Sequence, residues 1–248
     1  MKESAAYSRM GPVQVICLRN WTKPYPLHNH VSVYTTGLVI RGKAALTLAG
    51  REIQTEAGEA FIVFPYEPHA LSPLGPMDMV SLCLPKEIAG RDAAGLKTLI
   101  QVVIRSLREE GTLQAEDDAA FSRVLGNAFT PSEAARERGE APFVARVRRF
   151  LECSPETRVS LRQFAEDASV CEDHLIRKFK KQVGLTPRYF QIQNRVRRAQ
   201  LLLEQKIPIS EAALSVGFYD QSHFDRYFRH FLGISPRDYV KACKTPPE

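Results

Sequence analysis

Residues 174–203 read HLIRKFKKQVGLTPRYFQIQNRVRRAQLLL, and residues 209–240 read ISEAALSVGFYDQSHFDRYFRHFLGISPRDYV. One pattern underlies both. Leu175, Arg177, Phe179, Gly184, Thr186 and Pro187 recur as Phe224, Arg226, Phe228, Gly233, Ser235 and Pro236, each pair 49 positions apart. Upstream, Leu161, Ala165, Ser169 and Val170 answer to Ile209, Ala213, Gly217 and Phe218 at a spacing of 48. An internal repeat means that one structural unit is used twice.

Each copy reads as helix, tight turn, helix. In the first, Leu161–Ala168 is the scaffolding helix and Ser169-Val170 the turn. The second helix starts at Cys171 or Glu172 and runs to about Val183. Leu175 and Phe179 are four apart and pack inward together, which turns Asp173, Ile176, Arg177 and Lys180 outward. In the second copy Ile209–Val216 is the scaffold and Gly217-Phe218 the turn. Phe224 and Phe228 face in; Gln221, Ser222, Asp225, Arg226 and Arg229 face out. Gly184 and Gly233 are candidate C-caps. Thr186 and Ser235 are N-cap residues for the segments that follow, with Pro187 and Pro236 at the first helical position. The long helix between the copies has Val196, Ala199, Leu202 and Leu203 on its apolar side.

A helix of this kind lies in the major groove and offers base edges the side chains of its N-terminal half. Arg pairs with guanine O6 and N7, and Gln with adenine. Lys180, Lys181, Arg188, Arg197, Arg198 and Arg229 sit later or on flanking elements, where they suit phosphates. On a single helix such charges more often mark a solvated face. Arg at the same place in two copies favours DNA.

The two quoted runs resemble the DNA-binding domain of the AraC/XylS family of bacterial transcriptional regulators, over about residues 143–242. The second is the more specific, through VGF-x-D-x-SHF-x-R-x-F-x4-G-x-SP-x-x-Y. The resemblance implies two helix-turn-helix units joined by one long helix, reading adjacent major-groove segments of double-stranded DNA. It places base contacts at Asp173, Ile176 and Arg177, and at Gln221, Ser222, Asp225 and Arg226. It also implies contact with RNA polymerase. The first turn departs from the family in having Ser169 where Gly is usual. Asp173 and Ile176 are an acidic and an apolar side chain at contact positions. Asp accepts from cytosine N4 and Ile packs on a thymine methyl, so the first copy is expected to read fewer bases.

The front of the chain has a different texture. Val13–Leu18, Ser32–Ile40, Ala44–Leu48, Ala60–Phe64 and Met79–Leu84 are short apolar or β-branched runs separated by Gly and Pro turns, which argues for a sandwich or barrel. His28-Asn29-His30, the spaced Gly42 and Gly58, and a PYEPH ending at His69 make residues 10–85 similar to the small cupin barrel that many AraC-type regulators carry as an effector domain. Residues two apart on a strand face the same way, so His28 and His30 can share a face with His69. Three imidazoles suit zinc, nickel, cobalt or iron. Metal-binding cupins usually supply a Glu four or five residues after the second His; those positions here are Tyr34 and Thr35. The candidate effector-binding residues are therefore His28, His30, His69 and Tyr34, for a small organic molecule in the first place. The three histidines are also the candidate metal ligands, with Cys83 a further soft donor. A third possibility is that they only complete a core. No cofactor is required by this reading; a divalent transition metal would act as effector.

The expected organisation is thus an all-β cupin-like barrel over residues 1–85 and a helical support or dimerisation region over 86–129. A polar linker over 130–142 and an all-α double helix-turn-helix domain over 143–248 complete it. Leu96, Leu99, Ile100, Val103, Ile104 and Leu107 form an apolar stripe that would either pair two copies of the chain or pack on its own barrel. Charge follows the division. Residues 1–142 carry 15 Lys/Arg and 16 Asp/Glu, a balance of −1, and residues 143–248 carry 19 and 12, a balance of +7. A basic back half suits a polyanion. Five cysteines, an odd number without CxxC spacing, suggest reduced thiols in a cytosol. Cys171 starts a recognition helix, where a thiol can be redox-active but more often only fills a cap position. No run approaches the ~20 apolar residues of a membrane span, and a cytoplasmic protein is expected. The main reading is a non-enzymatic transcriptional regulator. The alternative is a metal-dependent cupin enzyme with a helical appendage; against it stand the missing Glu and the lack of any other acid, base or nucleophile cluster. Another is a front domain that binds a protein partner.

Overall fold

The computed structural model describes residues 2–48, 50–85, 105 and 140–243. These form two units, one strand-rich and one helical. The expected support region at 86–129, with its stripe at 96–107, lies outside the described residues apart from 105, as does the linker up to residue 139.

Among the described residues there are nine strands: β1 (Ser4–Met10), β2 (Val13–Trp21), β3 (Tyr25–His28), β4 (Val33–Arg41), β5 (Lys43–Leu48), β6 (Arg51–Glu56), β7 (Ala60–Val63), β8 (His69–Pro73) and β9 (Met77–Pro85); all but β3 belong to the strand-rich unit. Those of the strand-rich unit make two sheets, in the orders β1-β2-β9-β4-β7 and β8-β5-β6. β9 lies between β2 and β4 and is buried from Met77 to Leu84. Cover on both faces explains why MDMVSLCL is a nearly continuous apolar run rather than an alternating one. Val13, Val15, Leu18 and Trp21 of β2, Leu38 of β4, Leu46 of β5 and Val63 of β7 complete the core.

The five expected runs all fall on strands, at β2, β4, β5, β7 and β9. β1, β3, β6 and β8 go beyond the expectation. β6 is REIQTE with only Thr55 buried, an edge strand whose register comes from its partner: Lys43 pairs with Glu56 and Leu48 with Arg51. β3 also corrects the argument for the histidines. It ends at His28, so Asn29 and His30 are not strand residues, and strand alternation does not place them.

The helical unit contains α1 (Pro142–Cys153), α2 (Leu161–Asp167), α3 (Glu172–Val183), α4 (Pro187–Glu204), α5 (Ile209–Ser215), α6 (Gln221–Leu232) and α7 (Pro236–Ala242). α1 begins at the last residue of the expected linker, with Pro at its start and Val144, Val147 and Leu151 buried. The two repeats are α2–α3 and α5–α6, and α4 joins them. Their boundaries follow the caps. Gly184 and Gly233 take left-handed φ of 84° and 72° at the ends of α3 and α6. The Thr186 hydroxyl accepts from Tyr189 N at 3.3 Å, and the Ser235 hydroxyl accepts from Asp238 N at 3.1 Å. Pro187 and Pro236 then open α4 and α7, where a missing N–H costs nothing.

The turns also match. Ser169 has φ 55° and Gly217 φ 87°, so both copies use the left-handed region. A Cβ there is strained, and the first copy carries that strain at Ser169.

Candidate nucleic-acid interface and effector site

Each recognition helix is fixed from its buried side. In α3, Leu175 and Phe179 are fully buried, and Phe179 meets Phe190 edge-on at 5.7 Å. In α6, Phe224 and Phe228 are fully buried at 5.2 Å from each other. Phe218 from the turn lies 5.3 Å from Phe224, and Tyr239 of α7 lies 5.4 Å from Phe228. These rings set the rotation of α6 about its own axis, and so decide which residues face solvent.

On the outer faces Asp173, Arg177, Gln221, Ser222 and Arg226 are exposed, and Ile176 is half-buried. Arg226 lies over the Tyr227 ring at 5.3 Å, a cation–π contact. The N-terminus of α6 is capped by Asp220, whose carboxylate accepts from His223 N at 2.7 Å. Sequence reasoning missed this cap, although D-x-x-H before an apolar stripe was readable as one. Asp225 differs from its neighbours. It is half-buried, and its Oδ1 is buried without a hydrogen-bond partner among the described residues. Burial pushes its carboxyl up, against the pull of Arg229.

Lys180, Lys181, Arg188 and Arg229 are exposed. Arg197 is half-buried. Arg198 is exposed but already engaged: it donates to the Cys153 carbonyl at 3.3 Å and lies 3.5 Å from Glu156 Oε2. Arg195, half-buried in the middle of α4, was not singled out from the sequence. Its guanidinium donates to three main-chain carbonyls: Pro155 at 2.6 Å, Gly217 at 2.6 Å and Glu156 at 3.2 Å. Burial lowers its pKa, against the effect of Glu156.

In the strand-rich unit His30 and His69 come together, while His28, at the end of β3, belongs with the helical unit. His30 and His69 stack at 5.0 Å between ring centroids. His28 Nδ1 lies 2.7 Å from the Pro26 carbonyl and His69 Nδ1 3.0 Å from that of Glu67. A carbonyl only accepts, so in both contacts Nδ1 carries the proton and Nε2 the lone pair, the tautomer a metal ligand needs. Tyr34 is half-buried and meets Phe64 edge-on at 5.8 Å. Cys83 is buried outside the histidine group; its Sγ receives the Thr35 hydroxyl at 3.9 Å.

Among the described residues, no helix is long and apolar enough to cross a membrane.

Comparison with known proteins agrees with both units. Residues 13–141 match the AraC-like ligand binding domain, and residues 164–242 match a helix-turn-helix domain. The HTH-type transcriptional regulator MtrA of Neisseria gonorrhoeae is 38% identical over 89 residues, 35% of this chain and 29% of that protein. The probable transcriptional regulator LumQ of Photobacterium leiognathi is 22% identical over 236 residues, 88% of this chain and 92% of that protein. The matched segment is thus less than a third of MtrA but nearly all of LumQ. Among solved structures, ToxT from Vibrio cholerae O395 has a TM-score of 0.62 at 13% identity, covering 93% of this chain and 98% of that one. At that identity the likeness is one of fold.

Proposed function

Because the chain belongs to the AraC family of transcriptional regulators, with an AraC-like ligand-binding domain before a helix-turn-helix DNA-binding domain, we propose that α3 and α6 read two unlike half-sites in successive major-groove segments. Arg177 and Arg226 are the common anchors. Gln221 and Ser222 add base contacts in the second half-site, and Asp173 and Ile176 in the first. Lys180, Lys181, Arg188 and Arg229 hold phosphates. The observation that carries this reading is the matched pair of helices, each with two buried apolar anchors inside and an exposed Arg at the same turn outside. Asp225 contributes at most one carboxylate oxygen, and Arg198 serves the protein's own loop. Its relatives are transcriptional regulators, and no reaction is assigned. The setting is the cytoplasm, with the homodimer and polymerase contact that the family implies.

Two substitutions separate the roles. Arg226→Ala is expected to cost about 1–3 kcal/mol of binding and to relax specificity at one or two base pairs. Lys181→Ala is expected to weaken all sequences alike and to flatten the salt slope by about one. Binding titrations on matched and mutated duplexes at several salt concentrations check both. Identical behaviour of the two variants would refute the division.

The ligand-binding domain takes a small effector, and two chemistries compete. An organic molecule beside Tyr34 and the histidines is the first. A divalent transition metal is the second, with His28, His30 and His69 as candidate ligands and the His30 and His69 rings stacked at 5.0 Å. Calorimetric titration with zinc decides between them: tight one-to-one binding that His69→Ala abolishes supports the metal, and no binding leaves the organic effector.

A further inference from the structure

α4 does more than join the two repeats. Three of its side chains, on successive helical turns, hold the loop that follows α1. Gln191 Nε2 donates to the Pro155 carbonyl at 2.9 Å and to the Thr157 carbonyl at 2.7 Å. Arg195 donates to Pro155 and Glu156, and Arg198 to Cys153. That loop runs directly into α2, the scaffold of the first repeat. Arg195 alone also reaches the second repeat, through the Gly217 carbonyl in its turn. The approach is close on all sides. A Cβ on Gly217 would lie 2.6 Å from the Glu156 carbonyl oxygen and 3.1 Å from Arg195 Cζ. The planar guanidinium therefore sits where the entry to one repeat, the turn of the other and the connecting helix meet.

We infer that Arg195 is a positioning residue that sets the separation and angle of the two recognition helices, and so the half-site spacing that the protein accepts. This rests on the two-site reading of DNA above. A guanidinium presents donors in several fixed directions in one plane. Lysine keeps the charge but, with one nitrogen, cannot bridge three carbonyls in a fixed geometry. The consequence is specific: each recognition helix keeps its own outer face, and only their relation changes. Two linked modules bind far better than either alone only while the linkage matches the span of their sites.

The test uses the full chain. Duplexes that bind the unaltered protein are selected from a random pool, and the best is remade with one base pair added to or removed from its spacer. Isolated half-sites are prepared beside them. The unaltered protein is expected to lose about tenfold in affinity on either spacer change. Arg195→Lys and Arg195→Gln are expected to lose that preference, binding the three spacers within about threefold of each other, while their half-site affinities stay near those of the unaltered chain. A variant that folds and retains the full spacing preference overturns the inference. So does loss of half-site binding together with a collapsed thermal transition in both variants, because Arg195 would then serve only the fold. Failure of the unaltered protein to select any spaced pair of half-sites is a different outcome: it refutes the two-site reading itself.

Discussion

Phe228→Ala is expected to destabilise the helical unit by about 3–5 kcal/mol, the usual cost of truncating a fully buried aromatic ring. Phe228 is 0% exposed and lies between Phe224 at 5.2 Å and Tyr239 at 5.4 Å. The Tyr239 hydroxyl in turn donates to Glu204 at the end of α4 at 2.6 Å. Removing the ring opens a cavity under α6 and withdraws support from α7 and α4 together. Neither neighbour can close the gap without leaving its own partner. Urea denaturation followed by helical circular dichroism measures the effect. A loss below about 1 kcal/mol, the range of ordinary surface substitutions and mild core changes, would contradict the packing described for this ring.

Gly217→Ala is the second large effect, and it acts through the backbone. Gly217 has φ 87°, where a residue with a Cβ is strained. The added methyl would also stand 2.6 Å from the Glu156 carbonyl oxygen and 2.9 Å from Glu156 Cα. Both are main-chain atoms, so no side chain can swing aside. Strain and overlap together are expected to cost about 2–4 kcal/mol of stability. Gly50→Ala is the matching control. Its φ is 80°, but nothing lies within 4 Å of the added Cβ, so only strain of about 1 kcal/mol is expected. Equal thermal shifts from the two variants would show that the close approach at Glu156 contributes nothing.

The helical unit was legible because its signals are local. Gly184, Thr186 and Pro187 stop one helix and start the next within four residues, and Gly233, Ser235 and Pro236 repeat the device. The inward pairs Leu175/Phe179 and Phe224/Phe228 follow directly from a 3.6-residue period. Ser169 was read as a departure from a glycine turn; it takes the same left-handed conformation as Gly217. The strand-rich unit was legible only where strands are apolar. β6 has one buried residue and β3 contains Pro26, so neither has a pattern of its own; β6 is a strand because it pairs with β5. The strand alternation invoked for the histidines does not hold, because β3 ends at His28 and His30 lies beyond it. Arg195 was invisible for a related reason. Its partners are main-chain carbonyls 22, 39 and 40 residues away, and a carbonyl leaves no mark on the sequence that provides it. Asp225 had the spacing of an outward residue, yet one of its oxygens is buried.

The central claim is that this chain grips DNA at two unlike places with two copies of one motif. Hydroxyl-radical footprinting of the full chain on its selected duplex tests it most directly. Two protected segments are expected on one face of the duplex, about 34 Å apart, with different base sequences, and binding that weakens steeply as salt rises. A single protected segment, or no salt-sensitive protection at all, would contradict it.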